Sequence, residues 1–98
     1  MIFSEEQIAK FKKAHGEIFK FTSNEGEVSC LLRKPTRKEL SYASMAGQND
    51  PIKFSELILN GCWLAGDEQI KTDDELFMGV SQLIGEMIKI KSFELEKL

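Results

Sequence analysis

Few side chains in this sequence are of the kinds that do chemistry. His15 is its single histidine. A general base needs a partner to orient it, and no Ser or Asp marks itself as that partner. His15 instead falls near the end of a helical stretch, as a surface residue beside a cap. Cys30 and Cys62 lie in apolar surroundings without C-x-x-C spacing. With one histidine they do not make the convergent ligand set of a zinc site. Two buried free thiols suit a reducing compartment, and a disulfide between them, while open, is not signalled. Asp67, Glu68, Asp73, Asp74 and Glu75 gather carboxylates and invite a calcium reading. They lack the alternate-ligand pattern and closing Glu of an EF-hand loop, and negative charge at a helix start accounts for Asp73–Glu75. There is no glycine-rich phosphate loop and no nucleophile beside a base. The residues therefore predict a protein that is not an enzyme, with no cofactor and no metal.

Binding residues are easier to nominate. Arg33, Lys34, Arg37 and Lys38 form a basic step that can touch phosphate or an acidic partner, or simply be a solvated corner. Trp63 is an apolar anchor with one N–H to satisfy, suited to a core or an interface. Met45, Met78 and Met87 are adaptable contacts. From these, Arg33, Lys34, Arg37, Trp63, Met87 and Phe93 are the candidate partner-binding residues. Phe19 and Phe21 share a strand face, but Glu17, Glu25 and Glu27 beside them oppose a base-stacking role.

The net charge of −3 is unevenly spread: +3 over residues 1–38 and −6 over residues 39–98. An acidic second part opposes a nucleic-acid surface there. No apolar stretch reaches membrane-spanning length, and Glu5 and Glu6 stand where a leader would be apolar. The expectation is a cytoplasmic protein with no membrane and no nucleic-acid partner.

The elements that would position these residues read as one α+β domain over residues 1–98. An N-terminal helix occupies 1–15, with Ser4 as its cap and Gly16 after it. An antiparallel hairpin spans 17–33, turning at Asn24-Glu25-Gly26. Phe19 and Phe21 lie on one face of its first strand, and Val28, Cys30 and Leu32 on one face of its second. Pro35 stops the second strand, and Thr36 with Glu39 makes a capping box for a short helix through Ala46. Asp50-Pro51 starts another helix, with Phe54, Leu57 and Ile58 together and Gly61 ending or kinking it. Cys62–Gly66 is an apolar loop, followed by an acidic turn at Gly66-Asp67-Glu68. A capping box at Thr72–Glu75 opens the longest helix, about 73–89. Its stripe is Leu76, Val80, Leu83 and Met87, with Phe77, Ile84 and Ile88 beside it. The helical part is thus 36–90, three helices packed on the hairpin. Residues 91–98 are a tail that extends the last helix or waits for a partner.

The phrases LLRKPTRKELSYA and DPIKFSELILNGCWLAGDEQIKTDDE, followed by a closing helix, resemble small phage and prophage proteins of the tail-assembly-chaperone kind. Arg33, Pro35, Thr36 and Arg37 match the strand-to-helix step found in such proteins, and the resemblance covers most of residues 16–90. It implies a cytoplasmic, self-associating factor in the bacterial host. Such a factor binds a long helical tape-measure protein while the tail assembles, and it has no catalytic residues. The alternative is a small structural virion component, a tail or head-completion subunit, for which the charge asymmetry suits head-to-tail contacts. A nucleic-acid-binding regulator acting through the basic step is a third, weaker reading.

Overall fold

A computed structural model describes residues 3–88 and 93–98. Helix α1 covers Glu5–His15, and strands β1 (Ile18–Thr22) and β2 (Ser29–Arg33) follow. Helices α2 (Arg37–Ala46) and α3 (Pro51–Cys62) lead to strand β3 (Trp63–Gly66). A one-turn helix α4 (Gln69–Thr72) precedes α5 (Asp74–Met87). This is the expected α+β arrangement. At 14 residues α5 is the longest helix, with α3 close behind at 12. The reading of α5 out to Lys89, and of the helical part to Ile90, reaches beyond the described residues.

Local chemistry sets the boundaries. The Ser4 hydroxyl accepts from the Gln7 N–H at 3.0 Å. The Thr36 and Glu39 side chains make a reciprocal capping box on α2. Asp50 accepts from the Lys53 N–H at 3.1 Å, with Pro51 in the first turn behind it. Each group satisfies backbone donors that a helix start leaves open. On α5 the cap is Asp73, which accepts from the Leu76 N–H at 3.1 Å. The start therefore falls one residue later than a Thr72 cap would place it. Thr72 ends α4, its hydroxyl directed at the Gln69 carbonyl.

Strand β2 is central in a three-stranded antiparallel sheet of order β1-β2-β3. Phe19 pairs with Leu32 and Phe21 with Cys30. These side chains share the face that α3 and α5 cover, where they join Ile58, Leu59, Cys62, Ile84 and Met87 in one core cluster. Leu31 points the other way and is buried too, at 1% exposure. On that face the Lys20 ammonium lies 5.9 Å from the Phe3 ring centre, tying the residues ahead of α1 to the sheet.

Several features differ from the sequence expectations, among them the one-turn helix α4, which makes four helices after the hairpin where three were expected. Trp63–Gly66, read as a loop, is a third strand: Ala65 pairs with Leu31 and Gly66 with Cys30, with a register shift before the Leu32–Trp63 pair. Gly61 does not end α3, which runs on one residue to Cys62. The hairpin turn is also broader than three residues. It is closed by the Ser23 N–H donating to the Val28 carbonyl at 2.8 Å.

Candidate functional site

The basic step divides into one inward and three outward cations. Arg33 leaves the last position of β2 and turns onto the helices. Its Nη1 donates to Glu39 Oε1 at 2.8 Å and its Nη2 to Glu39 Oε2 at 2.7 Å. Nη2 also donates to the Gly61 carbonyl at 2.7 Å, near the end of α3. A two-pronged guanidinium–carboxylate pair is the strongest ion-pair geometry available to side chains. The Arg33 hydrogen bonds hold Glu39 down to about 2, and Glu39 in turn raises Arg33. Glu39 Oε1 also accepts from the Thr36 N–H at 2.9 Å, so one carboxylate caps α2 and ties it to β2. Arg33 is thus an internal clasp between β2, α2 and α3. Lys34, Arg37 and Lys38 are exposed around it.

Trp63 is half-buried on the edge strand β3. Lys71 of α4 lies over its ring at 4.3 Å from the centre and pairs with Glu68 at 3.2 Å. This cation–π contact covers the indole with the helical turn that follows. Met87 is buried at 2% and belongs to the core, so in this structure it meets the fold and not a surface. Phe93 is the reverse case, 94% exposed. The six nominated residues therefore do not converge. Arg33 and Met87 face inward, Trp63 is covered, and Lys34, Arg37 and Phe93 are exposed.

The acidic run is likewise divided among backbone tasks. Asp67 accepts from the Ser29 N–H at 3.0 Å and donates its own N–H to the Ser29 carbonyl, pinning the end of β3 to β2. The Ser29 bond lowers the Asp67 carboxyl below its usual range. Asp73 caps α5. Among the described residues no group of His, Cys, Asp and Glu side chains is placed to hold a metal ion. His15 is exposed in the last turn of α1, its ring 6.4 Å from that of Phe11.

Cys30 and Cys62 are free and fully buried. Burial pushes the Cys30 thiol up to about 12 and the Cys62 thiol up to about 11. At pH 8 roughly one Cys30 in ten thousand would be thiolate, the reactive form. We expect neither thiol of the native protein to react with a disulfide reagent faster than the chain unfolds. Both should react at once in denaturant. A fast native phase in a stopped-flow thiol titration would contradict this.

Two open grooves flank α5. The larger, about 590 Å³, lies between the α2–α3 turn and α5, lined by Gly47, Pro51, Phe54, Ser81, Ile84 and Gly85 among others. The smaller, about 360 Å³, lies between the β1–β2 loop and α5, with Phe21, Val28, Leu76, Gly79, Val80 and Leu83 in its wall. Large apolar side chains are exposed on the same helices: Tyr42 and Met45 on α2, Ile52 on α3, Met78 and Leu83 on α5. Sequence reasoning placed Leu83 in the packed stripe of α5. The stripe that packs is rotated toward Ile84, and Leu83 is left 43% exposed in the groove.

No family model, no curated protein and no solved structure matches this chain. Among the described residues no helix is long and apolar enough to cross a membrane.

Proposed function

We propose that this protein is a non-enzymatic binding factor of the phage tail-assembly-chaperone kind, acting in the host bacterial cytoplasm on a long, helical tape-measure-type protein. The observation that supports this reading is the outer surface of α2, α3 and α5. Tyr42 is 62% exposed, Met45 70% and Ile52 51%, on the two helices that wall the larger groove. Singly exposed apolar residues are ordinary, but several on the helices that wall one groove are a form that protein-binding surfaces take. Met45 is an unbranched, flexible side chain that adapts to varied partners. An amphipathic helix fits such a groove by laying its apolar stripe between two helices. The small residues Ser81 and Gly85 let its backbone approach.

The test is affinity purification of the tagged protein from its native host, followed by identification of what comes with it. The expected result is one long, helix-rich protein, retained by the native chain and lost with Met45→Glu/Ile52→Glu. Both residues are exposed, so that variant should melt near the native temperature. Stoichiometric recovery of the protein in finished particles, with no such partner, would instead favour the structural-subunit reading that the charge asymmetry motivates.

A further inference from the structure

We propose that the smaller groove receives the segment Phe93–Leu98 of a second copy of this chain, so that two copies exchange these segments reciprocally. This goes beyond the partner-binding reading, because it concerns a different groove and needs no second kind of protein.

The segment is built to be covered. Phe93 and Leu95 are 94% and 100% exposed, so the described residues of the chain that carries them leave them uncovered. In an extended segment Phe93, Leu95 and Lys97 share one side, while Glu94, Glu96 and Leu98 face the other. The groove has the matching order. Its apolar wall includes Phe21, Val28, Leu76, Val80 and Leu83, and Glu75 is the only charged residue among the described residues that line it. Along α5, Glu75 and Leu83 are separated by about 12 Å of helix rise. In an extended strand Phe93 and Lys97 are separated by about 13 Å. Phe93 placed beside Leu83 therefore carries Leu95 along the groove and brings Lys97 to Glu75, the segment's only cation to the groove's only anion.

Gly79 lies midway along this path, and a Cβ built on it would meet nothing within 4 Å. Glycine inside a helix destabilises it by about 1 kcal/mol relative to Ala. None of the described residues fills the space that Gly79 leaves, whereas a strand lying along α5 there would use it. A two-fold axis relating the copies makes both contacts equivalent and closes the assembly as a dimer.

Sedimentation equilibrium on the pure 98-residue chain tests this without any partner. The native chain should dimerise, and Phe93→Ser/Leu95→Ser should weaken the dimer by about a hundredfold or more. Glu75→Lys and Lys97→Glu should each weaken it about three- to fivefold, and the two together should restore it. The altered residues are exposed, so thermal melts should show all variants folded. A native chain that stays monomeric at every concentration would overturn the proposal. So would a dimer indifferent to the Phe93/Leu95 change, or one that the charge exchange fails to restore.

Discussion

Replacing Gly66 with alanine should destabilise the protein by about 3–5 kcal/mol, the largest effect we expect from adding one methyl group. Gly66 has φ 152°, a conformation close to exclusive to glycine. Its backbone also faces Cys30 in the β2–β3 pairing with no room between them. A Cβ would stand 2.5 Å from Cys30 Cβ, 2.6 Å from Cys30 Cα and 2.8 Å from the Ser29 carbonyl oxygen. Two of those three atoms are backbone of the central strand, so no rotamer change relieves the clash. The strand must move, and with it the pairing of Ala65 with Leu31 and the two bonds between Asp67 and Ser29. Urea unfolding followed by circular dichroism measures the loss. Gly85→Ala is the control of opposite sign. Its Cβ would meet nothing within 4 Å, so it should raise stability by about 0.5–1 kcal/mol through helix propensity. Equal effects at the two sites would mean that the close approach at Gly66 is not what demands glycine there.

The same strand marks where sequence reasoning stopped. Helix starts, that of α4 apart, were legible because Ser4, Thr36, Asp50 and the Thr72–Asp73 pair put hydrogen-bonding side chains directly ahead of apolar periodicity. The hairpin was legible because Phe19/Phe21 and Cys30/Leu32 alternate. Strand β3 carries neither signal. It is four residues long, Trp-Leu-Ala-Gly, with a register shift where it meets β2. What makes it a strand is non-local: the free edge of β2, Asp67 closing onto Ser29, and Lys71 covering Trp63. Gly61 misled for a related reason. Glycine weakens a helix, but here α3 passes through it and turns its carbonyl to Arg33. A Cβ at that position would be 3.3 Å from Glu39 Oε2. The inward turn of Arg33 was not legible in the basic step, because position alone does not show which cation turns inward. Arg33 sits six residues before Glu39, a spacing that means nothing until a strand, a proline and a capped helix bring the two side chains together.

Removing that carboxylate is the second large effect. Glu39→Ala should lower stability by about 2 kcal/mol, near 10 °C in melting temperature for a domain of this size. It takes away the acceptor for the Thr36 N–H and leaves the Arg33 guanidinium only carbonyl partners at Gly61 and Lys34. The pair is partly solvated, with side chains 23% and 29% exposed, so its strength falls between that of a surface pair and that of a buried one. Arg33→Ala should cost a similar amount, because it frees Glu39 but also strips the Gly61 carbonyl of its donor. The Arg33→Ala/Glu39→Ala double variant should then lose less than the sum of the single changes, with a coupling of about 1–2 kcal/mol. Acid gives an independent measure. Glu39 titrates near 4.5 when unfolded and near 2 when folded, so the unfolded chain takes up the proton first. The clasp is at full strength above pH 4.5 and weakens as pH falls toward 2. Glu39→Gln should flatten that part of the stability profile while leaving the neutral-to-alkaline slope unchanged. If its acid limb matched the native one, the carboxylate would not be held by Arg33 in solution. The clasp would then have to be replaced by simple capping of α2 through Thr36.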